Sequence, residues 1–119
     1  MNMPSVRVVH GKDKIPIMVR DEEPFFVDRW RDEIGNEYIN EYRLVFDFGE
    51  GLLVEIAQRN EFGYEFSWEV SLDQLDEETL MRLRESGRLE IMREKVREVV
   101  RRMTENLDSL FFDLKAGEE

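Results

Sequence analysis

The chain has 119 residues, with 28 acidic and 17 basic side chains, a formal net charge of −11, one histidine and no cysteine. This length predicts a single domain, 1–119, and the 41% hydrophobic content is sufficient for a core. The absence of cysteine excludes disulfides and thiolate metal sites. The charged fraction of 38% resembles the composition of thermophilic proteins. Because no spanning stretch or signal peptide is visible, we expect a cytoplasmic protein without membrane association.

Short β-type runs dominate residues 1–70. Residues 6–9 and 15–19 flank a polar turn, which predicts a hairpin, and Pro16 predicts that its second strand lies at a sheet edge. Residues 25–34 are ambiguous, because Phe26, Trp30 and Ile34 lie four apart as on a helix. The following 33–37 resembles a hairpin turn, so we favour a strand over 25–32.

Strict alternation predicts an antiparallel β-meander over residues 41–70, with one wet face. The last run places five large side chains on the face expected to be buried: Phe62, Tyr64, Phe66, Trp68 and Val70. The opposite face carries five carboxylates: Glu41, Asp47, Glu55, Glu65 and Glu69.

Residues 71–115 predict a helical half. Asp76 is suited to cap a short helix that Gly87 closes. A long helix then runs from Arg88 to about residue 115, and 116–119 is a predicted disordered tail. The apolar stripe of this long helix repeats every 11 residues and therefore stays on one helix face (Met92, Val96, Val99, Met103, Leu107, Leu110, Leu114). The expected fold is α+β: a mostly antiparallel sheet of five or six strands, with both C-terminal helices packed on one face.

The charge is distributed unevenly along the chain. Residues 21–81 hold 18 acidic and 4 basic side chains, whereas residues 82–102 hold 8 basic and 4 acidic ones. On the long helix, Arg93, Arg97 and Arg101 form a stripe that either pairs with nearby carboxylates or contacts phosphates. We favour the pairing, because the surrounding negative charge repels a polyanion.

No motif identifies a catalytic, cofactor or metal site. His10 has no second ligand at a metal-binding spacing, and 49–51 lacks the third glycine and the helix of a dinucleotide-binding loop. The acids at 73–78 lack the glycine of an EF-hand and suit helix capping better. We therefore predict no cofactor, no metal and no enzymatic activity.

Three non-enzymatic functions remain open, beside a less favoured enzyme that uses a pair of the 28 carboxylates. The leading one is a non-enzymatic interaction module of inhibitor, immunity or nucleic-acid-mimic type, whose five carboxylates dock a basic partner protein. The alternative is a nucleic-acid-binding protein that uses Arg93, Arg97 and Arg101. The third is a homodimer that pairs through Ile91 and Phe112, two apolar residues off the core stripe.

Overall fold

The computed structural model describes the backbone of residues 6–117 and the side-chain environments of residues 6–108. Six strands come first, then a 3₁₀ turn at Leu72–Gln74 and two helices, which confirms the predicted α+β class. The strands are β1 (Val6–His10), β2 (Pro16–Asp21), β3 (Phe26–Arg31), β4 (Glu37–Asp47), β5 (Gly51–Asn60) and β6 (Glu65–Ser71). The helices are α1 (Glu77–Ser86) and α2 (Arg88–Gly117). None of these helices is long and apolar enough to cross a membrane.

The strands form one antiparallel sheet in the order β1-β2-β4-β5-β6. Strand β4 is long enough to hold two partners on the same edge. Its first half pairs with β3, from Arg31↔Glu37 to Phe26↔Tyr42, and its second half pairs with β2. The sheet is therefore five strands wide at the β2 end (β1-β2-β4-β5-β6) and four strands wide at the β3 end (β3-β4-β5-β6).

The structure confirms the first hairpin, and it confirms the strand interpretation of residues 25–32 as β3. The edge prediction for the strand that contains Pro16 was wrong, because β2 lies between β1 and β4. Pro16 is tolerated there because it is the first residue of β2 and lies outside the paired register with β4.

Both helices pack on one face of the sheet, where the side chains of Val19, Leu44 and Val54 are fully buried. Leu83 of α1 and Met92 of α2 cover them. The predicted start of α1 is confirmed, since the Asp76 side chain accepts a hydrogen bond from the Thr79 N–H at 2.8 Å. Gly87 separates the helices with a φ of 74°, a left-handed conformation that glycine adopts without steric cost.

The helices cover only the half of this face that lies toward the β4–β5 turn. The prediction that the apolar face of the last strand is buried was therefore wrong for Phe62, Tyr64, Phe66 and Trp68, which are all exposed. Only Val70, opposite Val54, reaches the helix-covered core. The alternation predicted correctly which side chains share a face, but it carried no information about how far the helices extend over it.

Helix α2 is longer than the part of the sheet that it covers. Its apolar stripe packs against the core as far as Met103, but Leu107 is 57% exposed, so the predicted packing of the stripe is wrong there. Leu110 and Leu114 lie outside the residues whose side chains are described. Thirty residues span about 45 Å, and the molecule measures 74 × 33 × 29 Å. The helix includes residues 116 and 117 of the predicted tail, and residues 118–119 lie outside the description.

Candidate interaction surfaces

The uncovered half of the helix-bearing face carries a group of aromatic side chains that we call the aromatic platform: Trp30, Tyr38, Tyr64, Phe66 and Trp68. Residues that pair in register lie on the same face of the sheet. Trp30 of β3 pairs with Tyr38 of β4, and Trp68 of β6 pairs with Ile56 of β5, so the rings lie on neighbouring strands of one face. Trp30 and Tyr38 stack with ring centroids 4.4 Å apart, and Phe66 stacks on Trp68 at 5.2 Å. Exposure reaches 38% for Trp30, 37% for Trp68, 45% for Phe66 and 65% for Tyr64. Such a contiguous exposed patch is typical of a binding surface.

Amide side chains form the floor between the stacked pairs. The Gln58 Nε2 donates to Asn40 Oδ1 at 3.0 Å across β4 and β5. A depression of about 200 Å³ lies beside them, lined by Tyr38, Tyr64 and Phe66. This is smaller than the roughly 300–1,000 Å³ of a typical small-molecule pocket. The platform therefore suits contact with a broad apolar surface better than enclosure of a ligand.

Two turns hold the platform rings in place. In the β3–β4 turn, Asp32 accepts hydrogen bonds from the N–H groups of Ile34 and Asn36 and, at 3.2 Å, from the Tyr38 hydroxyl. Burial acts to raise the pKa of Asp32, but these hydrogen bonds outweigh it and lower the pKa. The same contact raises the pKa of Tyr38, because its hydroxyl proton is donated to Asp32.

Asn60 plays the equivalent role in the β5–β6 turn. Its Oδ1 accepts hydrogen bonds from the backbone N–H groups of Phe62 and Tyr64, at 3.0 and 2.9 Å. Such Asx-type contacts fix the chain that leads into β6. The platform is consequently preorganised, which lowers the entropic cost of binding.

The opposite side of the sheet is the charged face, defined by the outward side chains of β2, β4, β5 and β6. The structure places all five predicted carboxylates there, and no described residue of α1 or α2 lies over it. Asp47 caps a turn instead of facing a partner, because it accepts hydrogen bonds from the N–H groups of Gly49 and Glu50.

Arginines from the same strands neutralise much of this face. Glu41 accepts hydrogen bonds from Arg43 and Arg59, both at 2.5 Å, and Glu55 accepts one from Arg20 at 2.6 Å. These groups surround a shallow depression of about 370 Å³. The prediction of an acidic face included the acids and left out these arginines, although Arg43 and Arg59 share their alternation with Glu41 and Glu55.

Glu65 and Glu69 are the exposed part of the predicted acidic set. Both lie on β6 at the edge of the sheet, where Glu69 pairs in register with Glu55 and Glu65 pairs with Arg59. Their carboxylates are the members of the set best placed to meet a basic partner, because Glu41 and Glu55 already hold arginines.

The predicted arginine stripe lies on the exposed side of α2. Arg93 pairs with Glu90 at 3.2 Å, and Arg97 borders a groove with Phe46 and Leu52. Arg101 is also exposed. Nucleic-acid binding through this stripe stays a prediction, which a gel-shift series on DNA and RNA tests.

The predicted dimer contacts are only partly described. Ile91 is half-buried at the start of α2. Phe112 lies outside the residues whose side chains are described.

A buried ion pair that joins the sheet to α2 was not predicted from the sequence. The Asp21 carboxylate accepts two hydrogen bonds from Arg88, from Nε at 2.7 Å and Nη2 at 2.5 Å, and Arg88 also donates to Glu23 at 3.2 Å. The hydrogen bond to Asp21 raises the pKa of Arg88, against the opposing effect of burial. No local pattern signals a pair 67 positions apart.

Comparison with protein-family models, curated proteins and solved structures gives no match. Within the described residues, no group of three or more His, Asp or Glu side chains is arranged to hold a metal ion. The function is therefore inferred from the surfaces of the molecule.

Proposed function

We propose that the chain is a protein-interaction module that docks a partner through the aromatic platform. The observation that carries this proposal is the exposure of Trp30, Tyr64, Phe66 and Trp68 on an uncovered sheet face. Aromatic side chains dominate the energetics of protein interfaces and are enriched at their centres. Burying these rings against a partner removes four large exposed aromatic side chains from water.

Charge favours a protein partner over a nucleic acid. Exposed aromatic rings also stack on bases, but such sites sit in positively charged grooves that follow the phosphate backbone. Here the segment that contains the whole platform, 21–81, has 18 acidic and only 4 basic side chains. That field repels a polyanion and leaves apolar contact with a protein as the dominant attraction.

Site-specific photo-crosslinking tests the proposal. A photoreactive phenylalanine analogue replaces Phe66 on the platform or, as the control, the neighbouring Ser67, which borders the depression on the charged face. We expect defined adducts of one mass from position 66 and none from position 67. Equal yields from both positions, or no adduct from 66 in cells that express the protein, would contradict the platform as a docking surface.

The charged face is a second candidate docking surface, because it is open and Glu65 and Glu69 are exposed on it. This candidate is the docking of a basic protein. Its test is binding of a fluorescent poly-lysine peptide at increasing salt, with Glu65→Gln/Glu69→Gln as the matched variant. Affinity that falls with salt and with the substitutions supports it. Affinity independent of both removes it.

A further inference from the structure

We propose that the partner of the aromatic platform is a second copy of this chain, and that the distal half of α2, residues 104–117, is the element that covers it. This rests on the proposed function of the platform and adds the identity of its partner. In the part of the chain that the structure describes, one half of the helix-bearing sheet face has no helix above it, and Leu107 of α2 is exposed beyond the end of the sheet. A single type of contact between two copies satisfies both.

The two unpartnered elements lie at opposite ends of the molecule. Helix α2 starts beside Asp21, and its next turns border Phe46 and Leu52, which are farther from the platform along β4 and β5. The helix therefore leaves the sheet on the side of the β4–β5 turn, whereas the platform lies at the β3–β4 turn. The molecule is 74 Å long, and Tyr64, Phe66 and Trp68 are exposed, so the described residues of the distal half do not cover the platform of their own chain.

A two-fold axis brings both elements together in one closed dimer. Because α2 and the platform are on the same side of the sheet, two molecules that face each other in opposite directions place each distal helix over the partner's platform. The contact is made twice, and the assembly ends at two copies, as an isologous interface requires. The helices then form a layer between two sheets.

The size of the surface fits a stable dimer. Aromatic side chains bury about 150–250 Å² each, so the exposed fractions of the platform rings and Phe62 offer roughly 500 Å². With a similar contribution from the helix, the two symmetry-related contacts bury about 2,000 Å² in total, at the upper end of the range for standard specific interfaces.

The sequence pattern supports an apolar contact on the distal helix. The stripe that packs on the sheet at Met92, Val96 and Val99 continues at the same spacing beyond Met103. Its next member, Leu107, is 57% exposed, which leaves a large apolar side chain in water. Leu107 lies where the sheet of its own chain ends, and contact with the aromatic platform of a second copy removes its side chain from water.

Sedimentation equilibrium with two pairs of substitutions tests the inference. Phe66→Lys alters the platform and Leu107→Lys alters the distal helix. Ser67→Lys and Asn106→Lys are the matched controls at neighbouring exposed positions. We expect a dimer for the unsubstituted chain and both controls. Phe66→Lys and Leu107→Lys should each raise the dissociation constant by about tenfold or more, because each buries a charge in both contacts.

A mixture of the two altered chains gives the sharpest result. In the mixed dimer, the platform of the Leu107→Lys chain meets the unaltered helix of the Phe66→Lys chain, so one contact is fully restored. The mixture should therefore associate more tightly than either chain alone. A dimer disrupted by Leu107→Lys but not by Phe66→Lys would show helix-to-helix pairing and overturn the inference.

A chain that stays monomeric at its highest attainable concentration would also overturn it. In that event an adduct of a different protein at position 66 would leave the proposed function standing. Failure of the dimer and failure of the docking surface are therefore separate outcomes.

Discussion

Replacing Asp21 with asparagine removes one charge from the pair that fixes the start of α2. The Asp21 side chain is 1% exposed and the Arg88 side chain 8%, so the guanidinium stays in a dry environment when its bidentate partner is lost. Glu23 remains at 3.2 Å, but its own side chain is 62% exposed and compensates weakly. Removing one member of a buried pair costs about 3–5 kcal/mol. Because the asparagine amide keeps one acceptor oxygen and Glu23 remains nearby, we expect Asp21→Asn to cost about 3 kcal/mol, at the lower end of that range.

Urea denaturation followed by far-UV circular dichroism measures this loss. The control is Glu55→Gln, which breaks the more exposed pair with Arg20 and should cost about 1 kcal/mol or less. The double substitution Asp21→Leu/Arg88→Met should recover most of the stability, because no buried charge is left unpaired and Glu23, which loses Arg88, is exposed to solvent. If Asp21→Asn costs no more than Glu55→Gln, the buried pair does not anchor α2.

The remaining predictions concern the core, one turn and acid stability. Leu83→Ala should lower the unfolding free energy by about 2–5 kcal/mol, whereas Leu107→Ala should lower that of the monomer by less than about 1 kcal/mol, as urea titrations at low protein concentration can show. Gly87→Ala should cost about 1 kcal/mol or more in the same assay, since alanine is strained at a φ of 74°; an unchanged midpoint would contradict the left-handed turn. Asp32 has a lowered pKa in the folded state. Its contribution to the free energy of unfolding is therefore present above its unfolded pKa near 3.8, and it is lost as the pH falls through the lower folded pKa. At pH values below about 4, the urea concentration at the unfolding midpoint should therefore decrease. Asp32→Asn should make this decrease smaller.

Local patterns were sufficient to predict the elements. Alternation identified β4, β5 and β6, and the capping residue Asp76 with Gly87 placed the ends of α1. These features depend on neighbours within a few residues, so they are visible in a single sequence. The position of Pro16 misled the edge assignment, because only the three-dimensional pairing shows which strand lies outside β2.

The candidate site depends on lengths and pairings that no local pattern contains. The rings of Phe66 and Trp68 look like core because they alternate correctly, and only the limited reach of α1 and α2 leaves them exposed. Likewise, the acids Glu41 and Glu55 look like a free acidic patch until the register brings Arg43, Arg59 and Arg20 beside them. Both differences arise from contacts between residues far apart in sequence.

The emission spectrum of the two tryptophans reports directly on whether a second copy covers the aromatic platform. The chain has only Trp30 and Trp68, and both belong to the aromatic platform. If a second copy covers the platform, the emission maximum should move to shorter wavelength and acrylamide quenching should decrease as protein concentration rises. Leu107→Lys should move both changes to a protein concentration about tenfold higher or more. An emission spectrum and quenching constant that stay the same across the concentration range in which the chain dimerises would show that the dimer leaves the platform uncovered.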